Sequence, residues 1–246
     1  MHFILLRGLA REAAHWLDFP AHLHAAVGDA CQVHLIDFPG CGLNYQQTAL
    51  NSVTAMTDYA RSQLNIAPAS EIYLVGISMG GMVALDWAQR FPAELGGVVL
   101  INSSAGNQPW WWRLRPNALP SMLRALLGDW RTRESIVLRL VSNNVQAYEQ
   151  HQRQWLAIQQ LRPVSRKTIT TMLRAAAAFR PQPTCAVAGL VLASERDRLV
   201  SVHASENLAQ QFNWPLVKHP SAGHDLPMDD ANWVLGEIAR WQAALD

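Results

Sequence analysis

A serine flanked by glycines has the clearest potential for chemistry in this chain. Ser78 lies at the centre of Gly76-Ile77-Ser78-Met79-Gly80, a G-x-S-x-G pattern. A serine hydroxyl is a weak nucleophile unless a base removes its proton as it attacks. The pattern therefore predicts a nucleophile only if the chain also supplies a base and an acid that orients the base. The alternative interpretation is an ordinary glycine-rich turn.

An acid and a histidine follow Ser78 in the order that a triad of this kind requires. Asp197 comes just past an apolar run, Val187–Leu192, and His224 lies in a glycine-containing loop before the last helical pattern. These positions predict acyl transfer through a covalent intermediate. His224 would take the proton of Ser78, while Asp197 would hold the imidazole and stabilise the imidazolium.

Other acids fit the third role less well than Asp197. Glu195 is a substitute only if Asp197 points away from the histidine. The remaining acids follow the histidine or lack the right placement: Asp225, Asp229, Asp230, Asp37 and Asp58.

A histidine base with an unperturbed pKa of about 6.5 predicts activity that rises from acid towards neutral or mildly alkaline pH.

Short apolar runs alternate with helical patterns along the chain, and Ser78 lies between one of each. Gly76 and Gly80 leave room for a sharp turn from a strand into the helix-like run Met82–Phe91. The alternation predicts a mostly parallel sheet with helices on both faces. Residues 49–64 have a helical spacing, and Asp229-Asp230 suits a helix start. The predicted strands are Phe3–Leu6, Val33–Ile36, Ile72–Ile77, Val98–Ile101 and Val187–Leu192, with a shorter apolar segment at Pro215–Val217.

Residues 105–183, here called the insertion, interrupt this alternation. The segment has no convincing strand, and prolines separate its helical stretches. A helical segment between two strands of a parallel sheet is most simply placed over the carboxyl edge of the sheet, where such folds bind ligands. We therefore expect a helical lid over a core of residues 1–104 and 184–246. The predicted helices of the lid are Ser121–Leu127, Thr132–Val141, Gln146–Gln160 and Ser165–Phe179.

Charge is distributed unevenly between these two parts. The insertion has twelve basic and three acidic residues, a net charge of +9, whereas the remainder has eight basic and sixteen acidic residues, a net charge of −8. Such asymmetry indicates a separate module with an anionic partner, or alternatively an arginine-rich solvated face. Because the remainder is acidic, we do not expect nucleic acid as a partner.

Further motifs carry a resemblance to a known family. Leu5-Leu6-Arg7-Gly8-Leu9 resembles the oxyanion loop of α/β-hydrolase-fold enzymes, residues 37–42 resemble their D-x-P-G-x-G loop, and residues 76–81 resemble their nucleophile elbow. The resemblance covers nearly the whole chain and implies a sheet of about six strands, since the first recognisable strand resembles the third of the family. It also matches Asp197 and His224 to the acid and the base of the family.

The same loops predict an oxyanion hole, and one residue in them departs from the family pattern. The backbone N–H groups of Leu9 and Met79 would hold the tetrahedral oxyanion. These enzymes commonly have histidine before the oxyanion-loop glycine, where this chain has Arg7. A cation at this place would favour an anionic substrate or lock a loop. The alternative is that Arg7 pairs with a carboxylate such as Asp37.

The insertion contains features that would select the substrate. Three adjacent tryptophans, Trp110, Trp111 and Trp112, cannot all face one side of a regular element, so some would line a pocket unless they belong to the core. An apolar pocket predicts esters with short to medium acyl chains. Some enzymes of this fold, resembling the carboxylesterase of pimeloyl-acyl carrier protein methyl ester, use lid arginines to receive an acidic carrier protein. The corresponding candidates are Arg113, Arg115, Arg124, Arg131 and Arg139.

The resemblance implies a serine carboxylesterase that acts on a small-molecule ester. A thioesterase, a C–C bond hydrolase and a lyase share the triad, so the sequence separates these enzymes poorly. The alternative outside catalysis is a ligand-binding protein of the same fold. The intact triad argues against it, because a binding protein need not retain all three groups.

No motif indicates a cofactor or a metal. The sequence lacks G-x-x-x-x-G-K-[ST], G-x-G-x-x-G and H-E-x-x-H, and Cys31, Cys41 and Cys185 form neither a metal-type pair nor a complete disulfide framework. No apolar run approaches the ~20 residues that cross a bilayer, and Phe3–Leu6 is shorter than the core of about 7 residues or more in a signal peptide. We therefore expect a cytoplasmic protein.

Overall fold

A single six-stranded parallel sheet forms the centre of the protein. The structure is a computed structural model that describes residues 1–28, 31–67 and 71–245. The strands are β1 (His2–Leu6), β2 (Gln32–Ile36), β3 (Ile72–Ile77), β4 (Leu95–Ile101), β5 (Gly189–Ser194) and β6 (Leu216–His219). Their order in the sheet is β2-β1-β3-β4-β5-β6, and every neighbouring pair is parallel. The predicted six-stranded, mostly parallel sheet is confirmed.

Helices cover both faces of the sheet. Along β1, Phe3 and Leu5 pack into one apolar core, whereas Ile4 and Leu6 pack into the other. Because both sets are buried, the strand is apolar throughout rather than alternating. The helices outside the insertion are α1 (Phe19–Val27), α2 (Val53–Ser62), α3 (Met79–Arg90), α9 (Val202–Phe212), α10 (Leu226–Asp229) and α11 (Ala231–Gln242).

Several predicted boundaries differ from the observed ones by a few residues. β5 continues to Ser194, past the predicted end at Leu192, because Ala193 and Ser194 pair with β6. The final helix begins at Ala231, directly after the acidic pair as predicted, and the Asp230 side chain caps it by accepting from the backbone N–H of Trp233 at 3.0 Å.

The chain between β4 and β5 is helical, as predicted. Residues 105–183 contain no strand, and their helices are α4 (Trp110–Arg113), α5 (Leu119–Leu127), α6 (Trp130–Val141), α7 (Tyr148–Leu161) and α8 (Arg166–Ala178). Ion pairs join this segment to the loop that follows β1: Arg11 pairs with Glu134 of α6, and Glu12 pairs with Arg162 beyond α7. The division into a core and a helical lid remains a prediction.

No helix in the described part of the chain is both long and apolar enough to pass through a bilayer.

Candidate active site

The loops that carry the predicted site leave the sheet where its strand order reverses. β1 lies between β2 and β3, so the connections after β1 and β3 lead to opposite sides. Such a switch point opens a crevice at the carboxyl ends of the strands, and open α/β sheets bind their ligands there. Arg7, Gly8 and Leu9 follow β1, and Ser78 follows β3 directly.

Ser78 occupies a sharp turn between β3 and α3. Its φ of 56° and ψ of −119° lie where residues other than glycine are rare. A Cβ at Gly80 would lie 2.0 Å from the carbonyl oxygen of Leu6, and one at Gly76 would lie 2.4 Å from the carbonyl oxygen of Gly80. Side chains at both positions are therefore excluded by backbone. The Ser103 hydroxyl donates to the Ser78 carbonyl at 2.8 Å and fixes the turn.

His224 and Asp197 are in direct contact. The Nδ1 atom of His224 lies 2.6 Å from Oδ2 of Asp197, and both side chains are buried. Because a carboxylate only accepts, Nδ1 carries the proton and Nε2 is free to act as a base. The other carboxylate oxygen, Oδ1, accepts from the backbone N–H groups of Leu199 at 2.7 Å and Val200 at 2.9 Å. These bonds fix the orientation of the acid.

Ser78 and His224 line the same cavity, but their side chains are not hydrogen-bonded to each other among the described residues. Catalytic hydrogen bonds of this kind are often long in unliganded enzymes and tighten when substrate binds.

The environment of His224 raises its pKa above the ordinary value of 6.5. Burial is the largest single influence and lowers the pKa, and the charge of Arg7 lowers it further. The charge and hydrogen bond of Asp197, together with the charge of Asp225, outweigh both. The unperturbed pKa assumed from the sequence is therefore corrected upward.

All the alternative acids except Glu195 have other partners. Asp225 pairs with Arg7, Asp58 pairs with Arg90, and Asp37 accepts from the backbone N–H groups of Ala13 and Leu43. Glu195 is exposed. Asp229 accepts from the backbone N–H groups of Gly223 and Asn143, and Asp230 caps α11.

The predicted oxyanion loop lies against Ser78. A Cβ added to Gly8 would lie 3.2 Å from the Cβ of Ser78 and 3.7 Å from its Oγ. Leu9 and Met79 both line the cavity with Ser78. Met79 is the first residue of α3, and the first N–H groups of a helix lack an acceptor within the helix.

Arg7 does not pair with Asp37, the carboxylate suggested from the sequence. Its guanidinium donates from Nη1 to Oδ1 of Asp225 at 3.1 Å, and from Nη2 to Oδ2 of the same carboxylate. Asp37 instead accepts from the backbone N–H groups of Ala13 and Leu43. The Arg7 guanidinium also lies over the ring of Trp16, 4.9 Å from its centroid.

The cavity has a volume of about 570 Å³ and a mostly apolar lining. It lies between the loops of the site and α4, α5, α6 and α8. Trp110 lines it and is 56% exposed, so this side chain is at the mouth. Trp111 and Trp112 are not part of the lining: Trp111 packs edge-on against Trp110, and Trp112 lies beside His203. Of the three tryptophans suggested as substrate-binding residues, only Trp110 is placed to touch a ligand in this cavity.

The candidate arginines of the insertion differ in their surroundings. Arg113 lines the cavity and donates to the carbonyl oxygen of Ala176 at 2.7 Å, near the end of α8. Arg115 is half-buried and lies outside the cavity. The exposed candidates are Arg124, Arg131 and Arg139.

Asn102 supports the site but was not singled out from the sequence. It follows β4 with a φ of 45°, and its amide group donates to the carbonyl oxygen of His224 at 2.8 Å. Its side-chain oxygen accepts from the backbone N–H of Ser194 at 2.8 Å. Asn102 thus ties the end of β4 to the end of β5 and to the histidine loop. An asparagine directly after a buried strand, a residue type that tolerates positive φ, was the available signal.

Within the described residues, no group of three or more histidine, cysteine, aspartate or glutamate side chains is arranged to hold a metal ion. Cys31, Cys41 and Cys185 are free thiols.

Comparisons with known proteins place this geometry in a family. The sequence model of the alpha/beta hydrolase family matches residues 3–237. The "Biotin biosynthesis bifunctional protein BioHC" of Teredinibacter turnerae is 29% identical over 118 residues, which cover 44% of this chain and only 20% of that protein. The "Pimeloyl-[acyl-carrier protein] methyl ester esterase" of Vibrio cholerae is 25% identical over 198 residues, 79% of this chain and 67% of that protein.

A solved structure gives the same result for the fold. The enol-lactonase from Burkholderia xenovorans LB400 matches with a TM-score of 0.78 at 17% identity, over 98% of this chain and 91% of that chain. The similarity extends over the whole sheet and its helices rather than over a single motif. The chain belongs to the alpha/beta hydrolase family.

Proposed function

We propose that the protein hydrolyses carboxylic esters through an acyl-enzyme intermediate on Ser78. The observation that carries this proposal is the contact between His224 and Asp197, with His224 lining the same cavity as Ser78. Esterase relatives within the family support the reaction class.

In the proposed reaction, Nε2 of His224 takes the proton of Ser78 as the hydroxyl oxygen attacks the ester carbonyl. The tetrahedral intermediate collapses, the alcohol leaves with the proton from His224, and an ester bond joins the acyl group to Ser78. Water then attacks the acyl carbonyl with His224 again as base, His224 returns this proton to the Ser78 oxygen as the acyl bond breaks, and the acid is released. Asp197 stabilises the imidazolium in both steps.

The backbone N–H groups of Leu9 and Met79 would donate to the oxyanion. Each such donor is worth about 3 kcal/mol of transition-state stabilisation. This contribution depends on how closely the loop of Gly8 approaches Ser78, since the donors act only near the position of the oxyanion.

The cavity favours small or medium esters. Its lining includes Leu9, Met82, Leu126, Val137 and Leu140, and its volume of about 570 Å³ lies in the range of small-ligand pockets. We expect p-nitrophenyl esters, tested from acetate to palmitate, to give a kcat/KM optimum at short to medium chains and little turnover of palmitate. No ester turnover, with hydrolysis of thioesters or cleavage of diketones instead, would contradict the ester assignment and favour the alternatives on the same triad.

An acidic carrier protein that delivers the acyl group is the proposed partner. Exposed Arg124 lies on α5, next to Leu123, which lines the cavity and is 58% exposed. A cation therefore borders the apolar mouth of the cavity. Opposite charges would steer an acidic protein to this mouth. The name of the relative from Vibrio cholerae refers to an acyl carrier protein substrate.

Salt and charge variants test the carrier proposal. We expect added salt, and Arg124→Gln with Arg131→Gln, to lower kcat/KM for a carrier-bound ester several-fold and to leave a simple ester unchanged. Arg240→Gln is a matched control, because Arg240 is exposed on α11 of the core. Equal salt responses of the two substrates would exclude carrier docking at this surface.

A ligand-binding protein without chemistry is the remaining alternative. Ester turnover that is lost in Ser78→Ala would exclude this alternative, whereas ester binding without turnover would favour it.

The cytoplasmic location predicted from the sequence is part of the proposed function.

A further inference from the structure

The ion pair between Arg7 and Asp225 joins two loops of the site. Arg7 directly precedes Gly8 and Leu9 of the predicted oxyanion loop, and Asp225 directly follows His224. The side chains are 3% and 4% exposed, and both nitrogen atoms at the end of the guanidinium bond to the two carboxylate oxygens. A bidentate pair of this kind fixes orientation as well as distance.

Each end of this pair is itself anchored. The guanidinium of Arg7 lies over the ring of Trp16. The backbone N–H of Asp225 donates to the carbonyl oxygen of Val141 at 2.8 Å, at the end of α6. The pair therefore connects the loop after β1, the histidine loop and the insertion.

We propose that Arg7 and Asp225 are positioning residues that hold the oxyanion loop and the histidine loop at a fixed spacing and place opposed charges beside the imidazole. The inference rests on the proposed function, because it assigns Leu9 and His224 their roles. It adds a reason for arginine at position 7: its planar fork bonds both carboxylate oxygens at once, which the ammonium group of lysine does not do.

The charges around His224 predict in which direction the pKa of this histidine changes when Asp225 or Arg7 is replaced. Besides Asp197, the groups that act on its pKa are Asp225, which raises it, and Arg7, which lowers it. On α7, His151 lies near Asp225 and Asp229, whose charges raise its pKa, but burial is the larger influence and lowers the pKa below its ordinary value. Removing Asp225 alone should therefore lower the pKa of His224, and also removing Arg7 should raise it again.

Three variants separate charge from geometry. Asp225→Asn removes the carboxylate charge, Arg7→Lys keeps the cation but loses the fork, and Arg7→Gln with Asp225→Asn removes both charges. The last avoids a buried charge without a partner, the usual reason for unfolding when one member of such a pair is replaced. Arg61→Gln is a matched control, because Arg61 forms an ion pair with Glu94 away from the cavity.

The first measurement is an NMR titration of the His224 imidazole, assigned with His224→Gln. We expect the midpoint to fall in Asp225→Asn, because a nearby negative charge that favours the imidazolium is removed. It should return towards the wild-type value in the double variant, and it should not move in Arg7→Lys or Arg61→Gln. Because this titration needs no turnover, it stands even if the protein proves inactive on esters.

The second measurement is kcat with an ester substrate. We expect Arg7→Lys and the double variant to lose roughly 10- to 100-fold, since misplacement of a reacting group by about 1 Å has that effect. Arg61→Gln should retain the wild-type value. An unchanged midpoint in folded Asp225→Asn would overturn the electrostatic part of the inference. Wild-type kcat in Arg7→Lys and in the double variant would overturn the proposal that the pair holds the two loops at a fixed spacing.

Discussion

Replacing Ser78 by alanine is expected to lower kcat for ester hydrolysis roughly a million-fold. The alanine removes the oxygen atom that would form the acyl bond in the proposed reaction, so only the proposed oxyanion donors and the cavity would remain to accelerate direct attack by water. The measurement is single-turnover and steady-state kinetics with the best p-nitrophenyl ester.

The loss should come without unfolding. The turn at Ser78 is held through backbone atoms, by its N–H to the carbonyl oxygen of Ile101 at 2.9 Å and by its own carbonyl with Ser103. An alanine keeps these bonds, and the melting temperature should stay near that of the wild type. Ser104→Ala is the matched control, because Ser104 is a second serine that lines the cavity. Comparable losses in both variants would mean that the hydroxyl of Ser78 has no special role.

Replacing Asp197 by asparagine is expected to lower kcat roughly ten thousand-fold. The backbone N–H groups of Leu199 and Val200 require an acceptor at the position of Oδ1. The amide oxygen of asparagine must therefore face them, which turns the NH2 group towards Nδ1 of His224. The imidazole then places its proton on Nε2 and can no longer accept a proton from Ser78.

Glu195→Gln provides the control for the acid, since Glu195 is the substitute that the sequence left open. Its exposed side chain predicts kcat close to that of the wild type. If Glu195→Gln were the damaging substitution and Asp197→Asn retained activity, the assignment of the acid would be wrong.

The sheet, and the order of the candidate catalytic residues along the chain, could be predicted from the sequence because they depend on local patterns. Continuous apolar runs mark strands that are buried on both faces, and glycines mark the turn at Ser78, where backbone approaches too closely for a Cβ. Asp197 and His224 were found through their order along the chain and their places after apolar segments. Contact between them, 2.6 Å in the structure, could not be read from a separation of 27 residues.

Pairings across the fold were the main features that local patterns did not supply. Arg7 and Asp225 are 218 residues apart, and no local pattern distinguishes Asp225 from Asp37 as the partner of Arg7. The tryptophans posed a similar problem. α4 is a short helix of four residues, and its contacts with α9, rather than the sequence Trp-Trp-Trp, determine that Trp112 lies beside His203 and not in the cavity.

Two helices, α1 and α9, were not predicted from the sequence. α1 begins at Phe19 with Pro20 in its first turn and buries only Phe19 and Leu23, and its partner in packing is the distant α11. α9 is capped by Ser201, a signal that is common in loops as well. Both helices are stabilised by packing against the sheet, each on a different face.

The most direct test of a nucleophilic Ser78 is labelling by a fluorophosphonate probe, followed by mass spectrometry of the modified peptide. We expect one covalent adduct, located on Ser78, formed by the folded wild-type protein and by Ser104→Ala but not by Ser78→Ala. Prior incubation with a slowly hydrolysed ester should delay the labelling. An unmodified Ser78 in folded protein, or an adduct that persists unchanged in Ser78→Ala, would contradict a nucleophilic role for Ser78.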